Sequence, residues 1–151
     1  MRFEHTVGKI LDLAAAAVPS RLSVSLGEET RTFAQSHRDA TRMANALYAL
    51  GLRRGDRLMY WGPMSLREID VFFATQKLGA VFVPFKDSLS QREAAAQVHY
   101  IRPAMVVGDA TLADRLSAIE KSERVRVATV NGRGPGLDLD GAFERASDRP
   151  L

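Results

Sequence analysis

From Arg57 to Val130 short apolar runs alternate with longer stretches of helical periodicity, and this constrains the fold more than any other feature of the sequence. Arg57 to Trp61, Ala80 to Val83, Ala104 to Val107 and Val125 to Val130 read as strands, the middle two apolar throughout. Between them lie three helical patterns. The first opens at Ser65 and closes at Gly79, with Ile69, Phe72, Phe73 and Gln76 near one face. The second opens at Ser90 and runs to about Tyr100, and the third spans Leu112 to Glu120. Each connection is long enough to hold a helix, which parallel neighbours require. Strands apolar on both sides need cover on both sides. The expected fold class is therefore α/β, a mainly parallel sheet with flanking helices.

An N-terminal helix and a small β-hairpin precede this unit. Thr6 can cap a helix over Val7 to Val18, which Pro19 stops. Leu22 to Leu26 and Thr30 to Thr32 read as two strands around Gly27-Glu28-Glu29. Three hydroxyl residues stand three positions before a Gln or Glu: Thr32 and Gln35, Ser65 and Glu68, Ser90 and Glu93. That spacing predicts capping boxes, in which side chains satisfy the free N–H groups of a helix start. Gly51 and Gly79 end helices in positions that favour a left-handed residue. Past Val130, Asn131 to Gly136 reads as a loop, Ala142 to Ala146 as one helical turn and Ser147 to Leu151 as a tail.

Composition removes several classes of chemistry. With 46% hydrophobic and 26% charged residues among 151, the chain can own a core and is not disordered. It has no cysteine, which excludes disulfides, thiolate metal sites and a thiol nucleophile. The net charge of +3 comes from 21 basic and 18 acidic residues spread along the chain, so no nucleic-acid stripe is expected. No apolar run reaches the roughly 20 residues of a membrane span. Glu4 and Asp12 argue against reading Ile10 to Val18 as a secretion signal. The expected compartment is the cytoplasm.

Ligands of parallel α/β sheets sit beyond the carboxyl ends of the strands. Here those ends are Trp61-Gly62-Pro63-Met64, Pro84-Phe85-Lys86-Asp87, Gly108-Asp109 and Asn131-Gly132. Trp61, Pro63, Met64, Phe85 and Lys86 are the candidate substrate-proximal residues. No residue is assigned a catalytic, cofactor-binding or metal-binding role. The loop Gly132-Arg133-Gly134-Pro135-Gly136 fits neither the Walker pattern nor the dinucleotide fingerprint. His5, His37 and His99 have no metal-ligand spacing, and no serine sits in a G-x-S-x-G elbow.

Several segments nevertheless form a familiar series. Thr32-Phe33 opens a helix containing Arg42-Met43-Ala44-Asn45-Ala46-Leu47 and ending at Leu50-Gly51-Leu52. Gly55-Asp56-Arg57-Leu58 follows, then Lys77-Leu78-Gly79-Ala80-Val81-Phe82-Val83-Pro84. In this order and spacing, with Thr6 to Leu11, Leu89-Ser90 and Val106 to Asp109 as flanks, the stretch from Thr6 to Leu116 resembles the N-terminal part of the AMP-forming acyl-CoA synthetases. These belong to the adenylate-forming ligase superfamily. Met64 stands where that family often has Asn, and Lys86-Asp87 where it often has Asn-Pro, which leaves the substrate subgroup open.

The resemblance implies a partial N-terminal domain of the adenylate-forming ligase fold. Residues 1–130 are expected to form the N-terminal subdomain, and residues 131–151 a flexible linker or tail leading to downstream sequence. A full-length parent would use ATP and Mg²⁺ to convert a carboxylic acid, such as a fatty acid, to an acyl-adenylate, and would then transfer the acyl group to CoA. The family's Ser/Thr/Gly-rich loop ending in Pro-Lys-Gly does not occur before Leu151, so no cofactor is expected in this chain and the piece alone is expected to be inactive. The expected partners are the remainder of the ligase chain and a second copy bound through exposed apolar surface. A stand-alone, non-catalytic binding or assembly module is the alternative; an unrelated nucleotide-binding Rossmann-like protein is a third reading.

Overall fold

The computed structural model describes residues 6–151; His5 lies outside the described residues. The elements follow in the order α1 (Val7–Ala17), β1 (Leu22–Leu26), β2 (Glu29–Thr32), α2 (Phe33–Ala49), β3 (Arg57–Trp61), α3 (Leu66–Leu78), β4 (Val81–Pro84), α4 (Gln91–Ile101), β5 (Met105–Asp109), α5 (Ala113–Glu123), β6 (Val127–Val130), β7 (Leu137–Asp138) and α6 (Leu139–Arg145). β1 and β2 form an antiparallel hairpin. The other five strands make one parallel sheet in the order β4-β3-β5-β6-β7.

Strand alternation sorts the core into two layers. Leu58 and Tyr60 of β3, Met105 and Val107 of β5, and Ala128 and Val130 of β6 point to one side. They meet Met43 and Leu47 of α2, Val71 and Ala74 of α3, and Leu139 and Phe143 of α6. Met59, Trp61, Val106 and Val127 point to the other side, against Ala94 and Val98 of α4 and Leu116 and Ile119 of α5. Every residue of β5 and β6 is buried, as two-sided cover of a parallel sheet requires.

Three details differ from the sequence expectation. β4 is an edge strand rather than a doubly covered one, and Val81 is half exposed. The reading of residues 131–151 as a linker does not include β7, and the helical turn read at Ala142 to Ala146 is part of α6, which begins three residues earlier. Here α6 starts at Leu139 behind an Asp138 cap, and Leu139 and Phe143 are buried against α2. The apolar positions of this short helix are too few to give a periodic signal. Capping boxes close at Thr32 and Ser90, but at Ser65 only half forms: the hydroxyl accepts from the Glu68 N–H and Glu68 does not reach back.

A buried charge network ties the hairpin to the helices. The Arg31 guanidinium on β2 donates to Asp70 on α3 at 2.5 Å and lies 3.5 Å from Asp39 on α2. Arg67 on α3 spans Asp70, Asp140 and Glu144, and its guanidinium lies 3.8 Å from the centre of the Phe143 ring. The Asp70 carboxyl is pushed up to about 6: burial outweighs the attraction of Arg31 and Arg67, and Asp39 adds repulsion. A carboxyl raised in this way gives its stability while protonated, and loses it as pH rises through about 6. Asp70→Asn, which stays neutral, is therefore expected to compare more favourably with the wild type at pH 8 than at pH 4.5 in urea unfolding. A pH-independent difference would contradict this origin.

α4 and α5 both end on an arginine in left-handed backbone, Arg102 at φ 50° and Arg124 at φ 52°. Glycine adopts that conformation without a Cβ clash. Arg124 is exposed, so Arg124→Gly is expected to raise unfolding stability by roughly 0.5–1 kcal/mol, measured by denaturant titration.

Candidate functional site

The sheet order reverses at β3. The chain passes from β3 through α3 to β4 on one side, then returns through α4 to β5 on the other. α3, which follows β3, packs on the α2 face and α5, which follows β5, on the opposite face, so the chain segments leaving β3 and β5 diverge across the sheet. Such a switch point opens a crevice at the carboxyl ends of the strands.

At this end of the sheet lies a chain of polar contacts from three strands. Tyr60 Oη and Ser65 Oγ lie 3.2 Å apart. Asn131, just past β6, donates from Nδ2 to Ser65 Oγ at 3.2 Å and to Asp109 Oδ2 at 2.7 Å. Asp109 Oδ1 accepts from the Thr111 N–H at 2.9 Å and from its hydroxyl at 2.6 Å. Asn131 reaches both partners from a left-handed backbone, φ 59°. Burial raises the Asp109 carboxyl, but the donors of Thr111 and Asn131 more than offset this, and it titrates below its ordinary value. Burial pushes Tyr60 up to about 12, so it remains a phenol able to donate to Ser65. Glu68, one helical turn in, is raised by burial and by repulsion from Asp87.

Gly62 makes this convergence possible: a Cβ there would lie 2.6 Å from the Cβ of Asp109. Gly62→Ala is expected to push β3 and β5 apart at this end and to cost roughly 1–3 kcal/mol. Asn131→Ala leaves the Asp109 oxygen without its donor and is expected to cost about 1–3 kcal/mol. Thermal unfolding of each variant measures the losses, and wild-type stability in both would show that the loops are not held here.

The five strand-end candidates separate into two groups. Pro63, Met64 and Lys86 are exposed on the rim, Met64 at 64%. Trp61 and Phe85 are buried in the α4–α5 layer, their rings edge to face at 5.8 Å. The Arg115 guanidinium lies 4.4 Å from the Trp61 ring centre, and Arg115 also donates to the Leu89 carbonyl. The Ser65–Asn131–Asp109 cluster was not singled out in the sequence. Its members stand at the ends of β5 and β6 or at the α3 cap, but no spacing links residues 65, 109 and 131.

A cavity of about 440 Å³ adjoins this edge, lined by the glycine loop together with Thr129, Asp138, Asp140 and Glu144. Two of its backbone donors are engaged by carboxylates. Asp140 Oδ2 accepts from the Gly132 N–H at 3.3 Å and Asp138 Oδ1 from the Gly141 N–H at 2.8 Å. Carboxylates in those places do not suit a phosphate. Among the described residues, no group of three or more His, Asp or Glu is placed to hold a metal ion.

The model of the family described as AMP-binding enzyme matches residues 11–150. The chain belongs to that family. It is 29% identical over 133 residues to a feruloyl-CoA synthase of Amycolatopsis sp, covering 88% of this chain and 26% of the relative. It is 36% identical over 98 residues to a mitochondrial medium-chain acyl-CoA ligase of Rattus norvegicus, covering 64% of this chain and 15% of that one. The chain thus spans about a quarter or less of the length of these relatives. Its fold matches the crystal structure of the anthranilate CoA ligase AuaEII in complex with anthranoyl-AMP, with a TM-score of 0.88 at 19% identity over 99% of this chain and 30% of that one. The fold expected from the sequence, the N-terminal domain of an adenylate-forming ligase, is the one observed. No helix of the described residues is long and apolar enough to cross a membrane.

Proposed function

We propose that this chain is the N-terminal part of an acid–CoA ligase. In the whole enzyme a carboxylic acid would be activated by ATP to an acyl-adenylate, with Mg²⁺ on the phosphates, and then passed to CoA. The observation that carries the reading is the family match over 11–150. The names of the relatives, a feruloyl-CoA synthase and a medium-chain acyl-CoA ligase, support an apolar or aromatic acid as substrate.

The residues present do not fit ATP or Mg²⁺. Asp140 and Asp138 take the Gly132 and Gly141 N–H groups, Ser65 takes that of Glu68, and three carboxylates line the cavity beside Arg133. No adenylation step is derived from this chain. Its part in the ligase would be architectural. The sheet supplies one wall of the cleft, and Pro63, Met64 and Lys86 offer their exposed surface to the acid or to the rest of the enzyme. Trp61 and Phe85 stiffen the wall from behind. The remaining sequence of the ligase is the partner proposed for this wall, and the cytoplasm its compartment.

An ATP–pyrophosphate exchange assay with ferulate or octanoate tests the reading in two arms. The chain alone is expected to give no exchange above a protein-free control, and turnover would overturn the architectural role. Exchanging the chain for the matching segment of the Amycolatopsis feruloyl-CoA synthase is expected to retain feruloyl-CoA formation, at a reduced rate. A soluble, folded chimera without any turnover would count against the ligase assignment.

A further inference from the structure

Basic residues are spread along the sequence, and the fold gathers them. The chain enters β3, β5 and β6 through residues 50–57, 101–104 and 123–126. These segments carry six arginines, Arg53, Arg54, Arg57, Arg102, Arg124 and Arg126, against two acids, Asp56 and Glu123. The surplus of four exceeds the net charge of +3 of the whole chain, so the rest of the molecule is slightly negative. β3, β5 and β6 are adjacent and parallel, which puts the three segments side by side at the amino end of the sheet, away from the crevice. Contacts join them: Arg57 donates to the Ile101 carbonyl at 2.9 Å and to the Arg102 carbonyl at 2.8 Å, and Arg126 donates to the Leu50 carbonyl. All six arginines are exposed.

Part of this charge serves the fold. Arg53, Arg57 and Arg126 donate to carbonyls at the ends of α2 and α4, where a cation offsets the helix dipole. The two acids are engaged as well: Asp56 Oδ2 accepts from the Arg53 N–H at 2.8 Å, and Glu123 Oε2 lies 3.3 Å from His99 Nδ1. Arg54, Arg102 and Arg124 have no such task, since no carbonyl or carboxylate among the described residues engages their side chains. Arg102 and Arg124 also hold left-handed backbone that glycine would take at lower cost, so stability does not account for arginine at either place. With His99 they line a cavity of about 270 Å³ between the last turns of α4 and α5.

Tyrosines border the same face. Tyr48 is 43% exposed, with the Arg53 guanidinium 4.0 Å from its ring centre, and Tyr100, 87% exposed, stands two residues before Arg102. The strand-entry turns offer no helix or two-stranded ribbon to a nucleic-acid groove. Clustered arginines beside rings with a polar tip suit the phosphate and headgroup layer of a bilayer. We infer that the amino end of the sheet is a docking surface for an anionic membrane, with Arg54, Arg102 and Arg124 meeting lipid phosphates and Tyr48 and Tyr100 at headgroup level. Docked in this way, the molecule turns its crevice away from the bilayer. Each arginine contributes about fivefold to partitioning, within a Debye length of roughly 10 Å at 0.1 M salt. The inference rests on the charge distribution and holds whatever reaction the whole protein carries out.

Co-sedimentation of the chain with vesicles tests it. Phosphatidylcholine vesicles with about a third phosphatidylserine are expected to bind the chain at about 0.1 M salt and to release it near about 1 M, and pure phosphatidylcholine vesicles to bind little. Arg102→Gly combined with Arg124→Gly is expected to lower the partition coefficient roughly 25-fold. Glycine suits both backbone positions, so the unfolding midpoint of this variant is expected to be no lower than that of the wild type, which separates lost charge from lost fold. Arg38→Ser combined with Arg92→Ser removes the same charge from exposed sites in the first half of α2 and the first turn of α4, towards the opposite end of the molecule. It is expected to leave binding nearly unchanged. Equal binding to neutral and anionic vesicles, binding that survives high salt, or an equal loss in the Arg38 and Arg92 variant overturns the proposal. So does a chain that ignores anionic vesicles; if it then binds a labelled oligonucleotide through Arg102 and Arg124, the face belongs to nucleic acid.

Discussion

A parallel sheet whose central strands are buried on both faces governs this structure. β5 and β6 have no residue to spare for solvent, so each side of the sheet must be roofed by helices, and the roofs must come from the connections between strands. α3 covers one face and α4 and α5 the other, with α2 and α6 completing the first. The N-terminal helix and hairpin then settle on the outer side of α2 and α3, held by Asp12 and Arg31. Removing water from both faces is the main stabilising term, and the conformational cost of the long crossovers is what it offsets.

The same constraint locates the crevice and limits its chemistry. Loops that diverge to opposite faces leave the carboxyl ends of β3 and β5 side by side, and Gly62 lets them approach. The polar groups stranded there need partners, and Ser65, Asp109, Thr111 and Asn131 supply them to one another. Satisfied in this way, the cluster fixes loop positions without leaving a free nucleophile or base. Asp109 is held charged by its donors and Tyr60 is held neutral by burial, and neither state suits proton transfer near neutral pH. A cluster of this kind fixes where the strand-end loops lie.

The sheet, the hairpin and two of the three capping boxes were legible because their signals are local: period, spacing and turn residues within a few positions of one another. What escaped is long-range. The Arg31–Asp70–Arg67 network joins residues up to 39 apart, and the Ser65–Asn131 contact joins residues 66 apart. The helical turn read at Ala142 to Ala146 belongs to α6, but its start at Leu139 and its docking escaped, because a seven-residue helix carries barely two turns of pattern and its place is decided by Leu139 and Phe143 finding α2. The candidates Trp61 and Phe85 lie at the ends of β3 and β4. Which way they point depends on strand phase: Trp61 follows Tyr60 and so turns to the opposite layer.

Strand phase also bears on β4. Its N–H groups at Val81 and Phe85 donate to β3, at Asp56 and Tyr60, so the alternating residues Phe82 and Pro84 turn their backbones outward. Proline has no N–H to offer, and placing it there removes nothing from the ladder while taking a donor from the open edge. The outward edge of this four-residue strand is left with the Phe82 N–H alone among its own donors. An apolar run with the composition of a central strand is thereby kept as an edge that a further strand pairs with poorly. Val81, half exposed, still presents apolar surface on that side. A partner covering this side would therefore gain from side-chain packing rather than from extending the sheet.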